Sequence, residues 1–313
     1  MDYVAFNIIL DDIICPNGTT YMGMLGGGGP QTAFGMKLWA DSVGLVAGVG
    51  PDLPQKALDW LEHNEIDTQG IRKGKQPTSR AWQALESDGR RTQVWRVSPE
   101  TIHAHLQRRI NLMPDYYQHA KGVHFGIHPL EPDSSFIRAL TENNAVVSLE
   151  PFRPAGRPLS PSELKSLIAN AAIFSPNLDE ARSLVPSLEK KPLQAEITTL
   201  LAIFLDAGAQ VVSLRMGPEG SWIASRHSSQ IAHIPAFKTS AVDPVGAGNA
   251  YCGGFLVGWL ETGNLVQAGL HGAVSASFLV EQIGVPPSAL QIRSEARKRL
   301  ISIQSLVESY SIQ

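Results

Sequence analysis

The chain is poor in cysteine and nearly balanced in charge, and each scarcity excludes something. Only Cys15 and Cys252 occur in 313 residues. They stand far apart and no C-x-x-C or Cys/His spacing accompanies them, so no disulfide framework or zinc motif is in view. A reducing, cytosolic setting follows. The formal charge is −3, from 26 Lys and Arg against 29 Asp and Glu, which argues against a nucleic-acid binder held by net charge. The densest basic run, RSEARKR at 293–299, also carries Glu295 and reads as a solvated helix face. The opening MDYVAFNIILDDIIC is too short for a membrane span and lacks a basic flank, which predicts no membrane partner and a cytoplasmic location. No internal repeat is visible. A G-x-S-x-G elbow is also missing, which removes the serine-hydrolase reading.

What is present describes an ordinary globular enzyme-sized chain, with 43% apolar and 18% charged residues and enough length for one large domain, 1–313, with a substantial core. Short apolar runs at 123–129 (VHFGIHP), 145–151 (AVVSLEP), 171–177 (AAIFSPN) and 209–217 (AQVVSLRMG) alternate with amphipathic stretches. That rhythm predicts βαβ units and a doubly wound, mainly parallel sheet covered by helices. Ligands in such sheets collect at the carboxyl ends of the strands. Two regions break the rhythm: about 8–25, with a turn signal at Pro16-Asn17-Gly18, and about 76–98, with Asp88-Gly89 between two alternating arms. Together they predict a small β-sheet lid on the α/β core.

Two glycine-rich stretches each run into an apolar helix. In DPVGAGNAYCGGFLVGWLETG, from Asp243, the glycines allow a tight turn against a phosphate, Tyr251, Phe255 and Trp259 recur at helical spacing, and Gly263 is a stop. In GGGGPQTAFGMKLW, from Gly26, Pro30 stands at a favourable first helical position. Either stretch alone is weak, since a G-x-G also serves plain turns and close helix contacts.

In combination they resemble the ribokinase-like (PfkB) family of sugar and nucleoside kinases. GGGGPQTAFGMKLWADSVGLVAGVGPD is similar to the family's N-terminal signature and DPVGAGNAYCGGFLVG to its C-terminal one; between them NLDE matches an N-x-x-E motif and LRMGPEGSWI a nucleotide-side strand and turn. The resemblance implies a ribokinase-like fold, a hydroxyl-phosphorylating kinase using ATP and Mg²⁺, and a site for a monovalent cation. By the same resemblance Asp11, or its neighbour Asp12, binds substrate hydroxyls. Gly26 and Gly27 let the lid hinge, and Gln31 takes the place of a substrate-contacting asparagine. Asn177 and Glu180 organise Mg²⁺, Glu180 through water. Gly217 and Gly220 border the nucleotide, and Gly246, Ala247 and Gly248 form an anion hole. Asp243 opens the motif.

Three departures stand out. Asn249 occupies the position of the family's catalytic aspartate and can orient a hydroxyl but not take its proton. Gln31 is one methylene longer than asparagine, and LEPFRP at 149–154 departs from a segment that usually begins with Asp or Asn. LEPFRP together with DPxGxGN is similar to a divergent branch that includes fungal maintenance-of-killer proteins. A slow or specialised kinase with another base, such as Asp243, Asp11, Asp12 or water, therefore competes with a pseudokinase that binds ligand without turnover. His124 and His128 read as structural or cleft-lining residues instead of metal ligands, and exposed lid strands predict a homodimer through the lid.

Overall fold

In the computed structural model, which describes residues 1–87, 91–188 and 191–311, strand β1 (Tyr3–Phe6) sends Tyr3 and Ala5 into one apolar cluster and Val4 and Phe6 into another. A strand buried on both faces has no polar side, and that is why it reads as a continuous apolar run. Its parallel neighbours are β4 (Val43–Val49) and β8 (Gly122–Ile127). Next to β4 lies β5 (Ile71–Lys73), and next to β8 follow β9 (Val146–Pro151), β10 (Ile173–Phe174) and β11 (Val211–Arg215), all parallel. The antiparallel strands β12 (Ser221–Ser225), β13 (Gln230–Ile234) and β14 (Glu308–Ser311) complete a ten-stranded sheet. The four apolar runs read as strands are thus β8 to β11. The chain adds β4 and β5 on one side of β1 and later returns to add β8 on the other, a switch point of the kind above whose strand ends a ligand crevice forms.

A second sheet has the order β3-β2-β6-β7, from β2 (Ile9–Ile14), β3 (Thr20–Gly26), β6 (Arg80–Leu85) and β7 (Arg91–Trp95). Strands β2 and β6 are parallel and the other pairs antiparallel. The Pro16-Asn17-Gly18 turn closes one hairpin: Gly18 has φ 82°, and the Thr19 N–H donates to Asn17 Oδ1 at 3.0 Å. The Asp88-Gly89 turn lies outside the described residues.

Two helices deliver their starts to the crevice, Gly29–Lys37 and Ala247–Thr262. They touch backbone to backbone, since a Cβ at Gly35 would lie 2.2 Å from the Ala250 carbonyl oxygen and one at Gly253 2.2 Å from that of Thr32. Glycine here serves close approach. Phe34, Phe255 and Leu256 fill the cluster on this side of the sheet, and Phe125, Phe174 and Phe204 the one opposite; each such burial contributes about 1.5–3 kcal/mol.

The basic run is a solvated face only in part: Ser294, Glu295, Arg297 and Lys298 are exposed, whereas its two end arginines are tied down. Arg293, at the start of helix Arg293–Gln304, donates to the Lys37 and Ala40 carbonyls, and Arg299 pairs with Glu281 at 2.8 Å while lying 3.8 Å over the Phe278 ring. These arginines tie the last helix to the core. No helix among the described residues is long and apolar enough to cross a membrane.

Candidate active site

Helix Ala247–Thr262 begins where Gly246 turns the chain left-handed at φ 84°, and it ends at Gly263, also left-handed. No side chain caps its start and no acidic residue stands in its first turn. The Ala247 N–H donates to the Pro244 carbonyl at 3.2 Å, and the helix start as a whole presents the positive potential an anion requires. Asp243 lies buried just before it; Oδ1 accepts the Val245 N–H at 2.9 Å, whereas Oδ2 is buried with no hydrogen-bond partner. Gln31 packs against the same turn, its Cγ 2.5 Å from where a Gly246 Cβ would stand, and its Oε1 is likewise buried without a partner. Orphaned buried oxygens beside an uncapped helix start fit a site completed by a ligand or cation.

Asn249 does not face an empty cleft. Its Nδ2 donates to Oε1 of Glu150, at the carboxyl end of β9. The other oxygen, Oε2, pairs with Arg215 Nη2 at 2.7 Å. Arg215 ends β11 and also donates to the Ser175 carbonyl through Nε and Nη2, at 3.1 and 2.7 Å, with Glu180 3.4 Å away. Its Nη1 lies over the helix start, 1.9 Å from the place a Cβ would take at Gly248. Glu150 is 4% exposed and Arg215 9%. Burial pushes the Glu150 carboxyl up, but Arg215 and His124 outweigh it and hold the group below the usual carboxylate range.

On the other side of the crevice, Asp11 accepts from Gln83 Nε2 at 2.7 Å, and its Oδ2 lies 1.9 Å from the site of an absent Gly26 Cβ. Burial lifts its carboxyl to about 6. A Cβ on Gly28 would meet Asn249 Nδ2 at 3.0 Å, so the glycine run bridges Asp11 and Asn249. Gly27, at φ 93°, backs onto Ile9. Asp12 points elsewhere: it is fully buried, paired with Arg80 at 2.6 Å and with Arg96, and accepts the Gly23 N–H at 2.8 Å. Of the two adjacent aspartates only Asp11 lies against the glycine run; Asp12 braces the second sheet.

The N-x-x-E motif has a local role as well. Asn177 caps helix Leu178–Leu184: its Oδ1 accepts the Glu180 N–H and Glu180 Oε2 accepts the Asn177 N–H, both at 2.8 Å, a reciprocal capping box. Burial raises the Glu180 carboxyl to about 7, against the pull of Arg215. An all-oxygen pair at a strand end suits Mg²⁺ and its waters, and a cation there would restore the charge that burial disfavours. Gly217 has φ 57° with open space around it; Gly220, at φ 87°, is pressed against the Ile234 carbonyl.

His124, Glu150 and Cys252 could each offer a metal-ligand atom, all within 4.8 Å of one another. The Arg215 guanidinium already supplies the positive charge, and burial pushes the Cys252 thiol up, which opposes thiolate ligation. Sequence reasoning missed the Glu150–Arg215 pair. Its signal was there: β9 reads VVSLE and β11 reads VVSLR, two matching strands ending in opposite charges on either side of the short β10.

Known proteins resemble this chain in sequence and in fold. A protein of Schizosaccharomyces pombe is 27% identical over 89% of this chain and 83% of its own length. Protein MAK32 of Saccharomyces cerevisiae is 32% identical over a shorter stretch, 40% of this chain and 38% of that protein. The solved structure of Arabidopsis thaliana ribokinase, complexed with ribose and ATP, superposes with a TM-score of 0.71 at 18% identity, covering 96% of this chain and 98% of that one. At that identity the likeness shows the fold, a large mainly parallel sheet with a smaller second sheet. The model of the pfkB family carbohydrate kinases matches residues 18–291, a span that runs from the first hairpin past the uncapped helix and its partner, and the chain belongs to that family.

Proposed function

We propose that the protein transfers the γ-phosphoryl group of ATP to a hydroxyl of a small sugar, nucleoside or related polyol-like metabolite. The observation that carries the reading is the convergence of an uncapped helix start, Gly246 to Gly248, with the Asp11 carboxyl and the Gly26–Gly28 backbone in one crevice. Asp11 and Gln31 would bind the acceptor's hydroxyls, and the Gly246–Gly248 N–H groups the transferring phosphate. Asn177 and Glu180 would hold Mg²⁺ through water, with Gly217 and Gly220 along the nucleotide. When bound, Mg²⁺ neutralises charge between the phosphates. The orphaned Asp243 Oδ2 suits a monovalent cation beside the helix start.

In the reaction the acceptor oxygen forms a bond to the γ-phosphorus, the bond to the β–γ bridging oxygen breaks with its electron pair leaving on ADP, and the hydroxyl proton is lost. Phosphoryl transfer draws most of its acceleration from positioning and electrostatics because its transition state is loose. A general base adds roughly 10²- to 10⁴-fold, about 3–5 kcal/mol. A second reading has its own observation: Arg215 lying over Gly248 and Asn249 tied to Glu150 would suit a protein that binds ligand without turnover. Tyr21, Met22, Val94 and Trp95 are exposed on the second sheet and support a homodimer through it. The two free cysteines suit work in the cytoplasm.

The deciding experiment screens wild type and Asn249→Asp for ADP formation with Mg-ATP across sugars and nucleosides. Substrate-dependent turnover by the wild type is expected. Turnover by the Asp variant alone would leave the natural protein a ligand binder, and loss of ATP binding by calorimetry in both would remove the phosphate-site assignment.

A further inference from the structure

We propose that Glu150 is the proton acceptor of this kinase, taking the place of the carboxylate that residue 249 lacks. The inference rests on the phosphotransfer reading above. Its ground is contact: two departures from the family pattern, Asn249 and Glu150, are 99 residues apart in sequence and hydrogen-bonded to each other. The carboxylate is thereby carried from the first turn of helix Ala247–Thr262 to the end of β9, one hydrogen bond away. Glu150 Oε2 lies 3.7 Å from the Cβ position of Gly248, so the buried carboxylate stands beside the first turn of the uncapped helix, next to the Arg215 guanidinium.

The other carboxylates are committed or displaced. Asp12 is held by Arg80, Arg96 and the Gly23 N–H, Asp11 accepts from Gln83 and lies against Gly26, Glu180 is engaged by the Asn177 N–H and Arg215, and Asp243, whose Oδ2 has no hydrogen-bond partner, is the group assigned above to a monovalent cation. Four groups fix the Glu150 carboxylate: Asn249 Nδ2 and His124 Nε2, the latter at 3.4 Å, on Oε1, and Arg215 Nη2 and the Cys252 thiol, the latter at 3.7 Å, on Oε2. His124 is itself set by Ser148 Oγ at 2.9 Å from Nδ1. In the step, the acceptor hydroxyl's oxygen bonds to the γ-phosphorus as the β–γ bridge bond breaks toward ADP, and the hydroxyl proton passes to Glu150 Oε1 in place of the long His124 contact, to be lost to water after product leaves.

Arg215 makes the carboxylate ionised but weakly basic. That tension has a resolution in the geometry. Nη1 of Arg215 lies where a phosphoryl group would rest on the Gly248 turn. An arriving phosphate competes for the guanidinium, loosens its hold on Oε2 and strengthens Glu150 as a base at the moment a proton must move. Asn249 is then a positioning residue, holding Oε1 at the cleft.

The test compares kcat and KM for wild type, Glu150→Gln and Glu150→Gln/Asn249→Asp, on whichever sugar or nucleoside the wild type phosphorylates, with ATP affinity by calorimetry as a check on folding. Glu150→Gln should lower kcat by about 10²- to 10⁴-fold with KM and ATP affinity changed less than about threefold. The double variant, with its carboxylate returned to residue 249, should recover at least tenfold. Unchanged kcat in Glu150→Gln overturns the proposal, as does a double variant that binds ATP yet stays as slow as the single one. Should Glu150→Gln fail to fold, Asn249→Asp alone decides: two carboxylates in contact must raise the acid limb of the pH–kcat profile if Glu150 is the base, and an unmoved limb refutes it. A wild type that binds ATP but turns over nothing removes the kinase reading, and this inference with it; a wild type that turns over beside an equally active Glu150→Gln sinks the inference alone.

Discussion

Arg215→Ala tests the buried charge network without reference to activity. The guanidinium supplies the positive charge for Glu150 at 2.7 Å and for Glu180 at 3.4 Å, and both carboxylates are at least nine-tenths buried. Removing one partner of a buried ion pair leaves an uncompensated charge, at about 3–5 kcal/mol. In a chain of this size 1 kcal/mol moves the midpoint by about 2 °C, so Tm should fall by about 6–10 °C near neutral pH. The pH dependence is the sharper readout. In the wild type Glu150 is held below its unfolded range, so its contribution is present above the ordinary glutamate pKa and is lost as pH falls through the depressed folded value. Without Arg215 burial dominates and the folded pKa rises above the unfolded one, so the variant should gain stability as pH falls from 8 toward 5. Denaturant melts across that range measure both slopes. An Arg215→Ala protein that keeps the wild-type midpoint, or whose stability does not rise on mild acidification, would refute the account of the pair.

Other expectations are smaller. Asn177→Ala removes half of the capping box and should cost about 1 kcal/mol by urea unfolding, with Asn177→Asp close to wild type. Glu180, lifted to about 7 by burial, should release a proton when Mg²⁺ and ATP bind, so affinity should rise from pH 6 to pH 8 and then level off; calorimetry in buffers of different ionisation enthalpy counts that proton. Asp12→Asn should loosen the second sheet and leave the core intact, seen as faster amide exchange in β2, β3 and β6 with little change elsewhere.

Much of the fold lies open in the primary structure because its cues are local. The runs at β8 to β11 are mostly apolar, Pro16-Asn17-Gly18 is a turn by its own chemistry, and N-x-x-E is a capping pattern before it is anything else. The choice between Asp11 and Asp12 is not local. Neighbours on a strand face opposite ways, and only the register with Arg80 and Gln83 on β6 decides which one the arginines claim. The Glu150–Arg215 pair is further from view, since it depends on β10 lying between β9 and β11 and on Ser175 offering its carbonyl between them. RSEARKR is legible only in part for the same reason: charge density foretells the exposed Arg297 and Lys298 but says nothing of the carbonyls at Lys37 and Ala40 that receive Arg293.

The backbone contact of Gly35 with Ala250, and of Gly253 with Thr32, has a mechanical consequence. Two helices seated on each other's carbonyls behave as one rigid strut, with no side-chain layer between them to slide or compress. The Gly28 and Gly246 ends of that strut are therefore fixed in separation. If the Gly26–Gly27 segment hinges as the family resemblance implies, any change in the distance between the second sheet and the Gly246 turn would come from that segment and not from a yielding of the helices.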